Sequence, residues 1–235
     1  MIPIVSISNL VSGFIFGSVT LKVYFSYRRT KDIKMRDFFI SFFFLSLTMF
    51  LLAMPGLLFT NLKIISLAFA IYPLFNFMSL IFISFIPLRI LEWNRIKEVF
   101  KNVMIAAAVL ITILNIINWG PAVVHFEDPF IYWEDTRGEL MNAIIGVAIG
   151  IALLLVIIFF IIQGLQSSGY YVRMRAFLLA GGLAGLIGLG LVNFVLGASA
   201  QQYITSIVGS LFGVLGGLLM FLGVFYKYKS SSNLK

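Results

Sequence analysis

The chain contains no cysteine and a single histidine, His125. Without thiols there are no disulfides, no thiolate metal ligands and no cysteine nucleophile. One histidine cannot supply the three protein nitrogens of a His-rich zinc site. Charge is scarce as well. Only 11% of the 235 residues are charged and 61% are hydrophobic, whereas a soluble domain carries roughly 25% charged residues. Such a chain cannot cover its own surface with polar groups. Asn-x-Ser/Thr sequons are missing, which favours a prokaryotic source. No basic segment precedes the first apolar run, whose first charge is Lys22, so a cleaved signal peptide is not expected.

The most informative shortage lies inside the apolar runs. Apart from edge residues such as Lys22, they hold no Asp, Glu, His, Lys or Arg. Ionisable groups within a bilayer mark proton relays, ion paths and voltage sensors, so pumps and proton-coupled carriers are disfavoured. Hydrolysis within the membrane needs a base with a nucleophile or metal, and neither is at hand. A retinal Schiff base would need a lysine in the last run, YITSIVGSLFGVLGGLLMFLGVF, which has none. The chain therefore reads as a non-enzyme, with no cofactor and no metal.

What is present is seven apolar runs, at about 2–26, 38–59, 63–88, 102–119, 140–165, 176–197 and 203–226. A helix rises 1.5 Å per residue, so about 20 residues span a hydrocarbon core of roughly 30 Å. Backbone groups in lipid must pair internally, and the runs lack the alternation of barrel strands. The expected fold is an all-α seven-transmembrane helix bundle forming one domain over 1–235.

The cations set a direction. Fifteen of the seventeen lysines and arginines fall at one end of the spans, as in SYRRTKDIKMRDF (26–38); the other end has Lys63 and Arg137. Lys and Arg are retained on the cytoplasmic side, which puts the N-terminus outside and the C-terminus inside a prokaryotic inner membrane. The formal charge of +8 is divided among four short segments, a pattern of topology and not of nucleic-acid binding. Anionic lipid headgroups are the partners those cytoplasmic loops suit. The acids gather opposite. Residues 120–140, GPAVVHFEDPFIYWEDTRGEL, hold Glu127, Asp128, Glu134, Asp135 and Glu139. Two readings stand: a solvated loop with Tyr132 and Trp133 as interfacial anchors, or a lid for a cation or cationic ligand.

IKMRDF (33–38) and VRMRAF (172–177) resemble each other at an offset of 139, which carries spans one to three onto five to seven and leaves span four as a linker. That is the arithmetic of a 3+1+3 parallel repeat. Small residues recur at i, i+4: Gly13 and Gly17, Gly146 and Gly150, Gly181 and Gly185, Ala184 and Gly188, then Gly209, Gly213 and Gly217. Such spacing lets helices approach closely in lipid, so spans one, five, six and seven are expected to pack on one another.

Neutral polar residues remain at depth. Tyr72, Asn76 and Ser79 share one helical face beside Pro73, and Thr112, Asn115 and Trp119 share another. They serve either as interhelical hydrogen bonds or as a ligand pocket in which Tyr72, Asn76, Asn115 and Trp119 supply aromatic walls and fixed polar groups.

KMRDFFISFFFLSL, the helix-breaking MPG at 54–56 and RMRAFLLAGGL at 173–183 resemble the small seven-span membrane region found upstream of bacterial sensor histidine kinases. The resemblance implies a sensor of an apolar or membrane-borne signal. Only YKYKSSSNLK follows Phe225, so a sensor of this kind would act through a cytoplasmic partner protein. The expectation is a non-enzymatic membrane sensor or scaffold for a small neutral or lipidic ligand. The alternative is a 3+1+3 facilitator for a neutral solute. It would have matching polar residues in both halves, yet Asn76 falls on Leu215 under the offset, and Asn193 falls on Met54.

Overall fold

A computed structural model describes the backbone of residues 2–59, 61–117, 122–134, 139–192 and 202–226, and the side chains of all of these except 127, 132, 134, 139–145, 191 and 202–206. Among the described residues, seven helices are long and apolar enough to cross a membrane. They are α1 (Ile4–Thr30), α2 (Ile33–Leu58), α3 (Leu62–Ile90), α4 (Asn94–Ile117), α5 (Glu139–Gln166), α6 (Tyr170–Leu191) and α7 (Gln202–Phe225). The protein is an all-α seven-helix bundle of the multi-pass membrane class. One small addition stands between α4 and α5: an antiparallel hairpin of β1 (Val123–Glu127) and β2 (Phe130–Glu134).

The basic stretch at 26–38 is hardly a loop. α1 continues through Arg28 and Arg29 to Thr30, and α2 begins at Ile33 instead of 38. Only Lys31 and Asp32 lie between. Lys31 takes the left-handed conformation (φ 55°) and donates its N–H to the Tyr27 carbonyl at 2.7 Å. Asp32 then caps α2, its carboxylate accepting from the Lys34 N–H at 2.8 Å, the role for which Asp is favoured. Arg28 and Arg29 stand in the last turn of α1, where cations suit the helix dipole. Farther on, α2 runs through Pro55 and Gly56 to Leu58, so MPG does not break it; α6 likewise starts at Tyr170, ahead of the expected 176.

Neighbouring helices form a closed circuit: α1 to α2, α2 to α3, α3 to α5, α5 to α6, α6 to α7, and α7 back to α1. α4 stands outside this circuit against α3. The centre is filled by Phe16, Phe42, Phe77, Val156, Leu183 and Met220, all fully buried or nearly so. In lipid this core gains by close packing and dispersion, since the hydrocarbon around it is equally apolar.

Glycines set the tightest contact, between α6 and α7. A Cβ on Gly185 would stand 2.8 Å from the Gly216 Cα, and one on Gly216 would stand 2.7 Å from the Gly182 carbonyl oxygen. Gly182 and Gly216 thus join Gly185 at the crossing, while Gly217 faces Ile15 and Phe16 of α1. Gly13 and Gly17 face α2, against Phe50 and Ser46, and Gly150 faces open space. Close packing of α1 therefore uses a phenylalanine-rich neighbour as well as the small-residue helices.

Candidate functional site

The two ends of the bundle are built differently. At the hairpin end, the β-hairpin is tied down at three places. The Ile2 N–H donates to the Pro129 carbonyl at 2.8 Å and the Ile131 N–H donates to the Ile2 carbonyl at 3.0 Å, which adds the N-terminus to β2 as a parallel bridge. The Ala122 N–H donates to Ser66 Oγ of α3 at 2.6 Å. Trp133 lies over Gly56, where an added Cβ would come within 3.0 Å of its ring. The aromatic is thus an anchor on protein. The hairpin joins α1, α2 and α3 as a cap, so residues 122–134 are fastened to the bundle. Among the described residues no group of three or more His, Asp or Glu could hold a metal ion.

Beneath this cap the sequence-derived polar residues divide. Ser79 shares a 3.2 Å hydrogen bond with Ser41 of α2, an interhelical link. Thr112 donates to its own helix at the Ala108 carbonyl, at 2.8 Å. Asn115 does neither. It is 4% exposed, and among the described residues neither its amide nitrogen nor its amide oxygen has a hydrogen-bond partner. Leaving a buried polar group unpaired costs about 1–3 kcal/mol, so this side chain is held at a loss. Tyr72 and Asn76 are half-buried on α3. α4 returns along α3 from the turn at Leu91–Trp93. Counting along the two helices, Tyr72 lies within about one turn of the Asn115 level and Asn76 about two turns deeper, roughly 10 Å. Depth thus groups Tyr72 with Asn115 and sets Asn76 apart; Trp119 and Asn193 lie outside the described residues.

The opposite, basic end carries a cluster that hydropathy alone did not single out. Asp37, in the second turn of α2, is fully buried. Its Oδ2 accepts from Arg89 Nε of α3 at 2.5 Å, and its Oδ1 pairs with Arg36 Nη2 at 3.3 Å. The Arg89 guanidinium also lies over the Phe85 ring, 5.7 Å from its centroid. A carboxylate with two cations is thus clamped between α2 and α3 within the helices. The signal was legible: Asp32 is a good N-cap, and a helix starting after it carries Asp37 into the bundle.

A second tie closes the basic end. Arg175 of α6 donates from Nε and Nη2 to the Tyr226 carbonyl, at 2.8 and 2.5 Å, capping α7. A hydrogen bond with Tyr170 is the main cause that raises the Tyr226 phenol above its usual pKa, so that phenol stays neutral through the physiological range. Comparison of the chain with protein-family models, curated proteins and solved structures finds no match in any of the three.

Proposed function

We propose that the protein is a non-enzymatic membrane sensor or scaffold that takes a small neutral or lipidic ligand at Asn115 and Tyr72, beneath the hairpin. The observation that carries this reading is the buried Asn115 amide, both of whose hydrogen-bonding atoms are unpaired among the described residues. A purely structural amide would be paired, as Ser79 and Thr112 are. A ligand offering one donor and one acceptor would recover the loss. The hairpin, joined to α1, α2 and α3, would feel its arrival. The Asp37–Arg89 clamp, at the far end of α2 and α3, would pass the movement to a cytoplasmic partner. This reading puts the hairpin outside and the cations inside a prokaryotic inner membrane, in keeping with the resemblance to sensor regions of histidine kinases.

The test is Asn115→Leu. Without ligand it should stabilise the purified protein by about 1 kcal/mol, because it removes unpaired polar atoms. It should also abolish thermal stabilisation by uncharged compounds that act on the native protein. A variant that is no more stable and still responds to those compounds would sink the reading.

One observation favours a facilitator instead. Exchanging α1, α2 and α3 for α5, α6 and α7 turns every neighbour pair of the circuit into another pair of the circuit, with α4 left outside as a linker. That is the contact pattern of a 3+1+3 parallel repeat. Against it, Leu215, the counterpart of Asn76, is exposed toward lipid. Uptake of a neutral sugar by protein-loaded liposomes, above that of empty ones, would favour transport over sensing.

A further inference from the structure

A groove of about 370 Å³ opens sideways between α1 and α2, and its lining decides what it can hold. Gly17 leaves its floor bare, while Phe14, Leu21 and Phe43 stand out as walls, 61%, 60% and 46% exposed. Its hydroxyls are all spent on backbone. Ser18 donates to the Phe14 carbonyl at 2.9 Å, Thr20 to Phe16 at 2.8 Å, and Ser46 across to Gly13 at 2.9 Å. The groove therefore offers hydrocarbon and no free donor. A polar ligand would lose its water without return; an alkyl chain loses nothing.

The groove also has a direction. Phe14, Ser18, Leu21, Phe25 and Arg28–Arg29 follow one another at helical spacing along α1. The stripe runs from the groove over exposed Phe25 to exposed Arg28 and Arg29, with exposed Lys31 just beyond. Arg28 is steadied over the Tyr24 ring, 6.0 Å from its centroid. From Leu21 to the arginines is about 10–12 Å along the helix, the separation between the upper part of an acyl chain and its phosphate. The nearest carboxylate in sequence, Asp32, is occupied in capping α2. A hydrocarbon slot thus ends, at headgroup distance, on two exposed arginines.

We infer that this groove is a binding site for one anionic phospholipid, with an acyl chain lying between Phe14 and Phe43 and the phosphate on Arg28 and Arg29. The site goes beyond general attraction of the basic end for acidic membranes, because it fixes stoichiometry and place. It is separate from Asn115 and does not rest on the reading given for that residue.

The experiment is competition between phosphatidylglycerol and phosphatidylcholine for the delipidated full chain in detergent, read by native mass spectrometry. One phosphatidylglycerol should remain bound per chain, preferred over phosphatidylcholine by roughly thirtyfold, as two surface cations would give. Arg28→Gln with Arg29→Gln should bring the preference close to unity while a lipid is still retained. Ser18→Trp, which fills the groove from its lipid-facing side, should abolish retention of either lipid. Arg95→Gln with Lys101→Gln, at the same end on α4, should change neither result. Equal retention of both lipids by the native chain would overturn the assignment. So would loss of preference in the α4 variant, or a lipid-free dimer that Ser18→Trp breaks.

Discussion

Removing the Asp37 carboxylate should be among the most damaging single changes outside the packed core. Asp37 is fully buried and meets Arg89 at 2.5 Å and Arg36 at 3.3 Å. At an effective dielectric of about 20, a close pair of opposite charges attracts by about 4 kcal/mol, most of which only offsets the loss of water around each ion. Breaking the pair from one side is a different matter. In Asp37→Ala the Arg89 side chain, 19% exposed, loses the ion-pair partner it has among the described residues. Such a loss costs about 3–5 kcal/mol, a large part of the roughly 5–15 kcal/mol by which a domain is stable. Arg89→Ala should cost less, because Arg36 still faces the carboxylate. The double variant Asp37→Ala/Arg89→Ala should cost clearly less than the sum, since neither buried ion is then stranded. Exchanging the two, Asp37→Arg/Arg89→Asp, should recover the pair only in part. It would set a cation near the start of α2 and an anion in the last turn of α3, each opposed by the helix dipole by about 0.3–1 kcal/mol. The measurement is reversible unfolding in mixed micelles, followed by far-ultraviolet circular dichroism. Additive single losses, or an Asp37→Ala cost under about 1 kcal/mol, would refute the clamp, because the carboxylate would then be solvated and unimportant.

Gly216→Val should destabilise the α6–α7 crossing by about 1–3 kcal/mol, since the first added carbon already meets the Gly182 carbonyl at 2.7 Å; the same substitution at Gly150, which faces open space, should be nearly neutral in that assay. Gly56→Val should lift Trp133 off α2 and shift part of the tryptophan emission to longer wavelength, whereas Trp133→Ala should remove that response and speed hydrogen exchange at the Ile131 amide. The chain has no cysteine, so single Lys31→Cys and Asp128→Cys variants report the two ends cleanly. An impermeant maleimide added to whole cells should label position 128 and spare position 31; the reverse pattern would invert the proposed orientation.

The seven spans were legible because bilayer thickness and backbone pairing leave a long apolar run few alternatives. Hydropathy misplaced their ends, because it stops at the first charge whereas a helix stops at a cap. Asp32 decides where α2 begins, and that shift places Asp37 inside the bundle. Whether a carboxylate at such a boundary meets water or a cation depends on Arg89, on another helix, and no local pattern carries that information. The same limit applies to polar residues on the stripes of α3 and α4. Ser79, Thr112 and Asn115 look alike in sequence, yet Ser41 pairs the first, the helix backbone pairs the second, and no described residue pairs the third. Hydroxyls can turn back onto the carbonyl four residues before them. The amide of Asn115, with a donor and an acceptor fixed in one plane, must find both partners across space. An amide is thus the side chain whose satisfaction depends most on tertiary packing, and a buried asparagine in lipid is where a pairing deficit can survive folding and be met by a ligand.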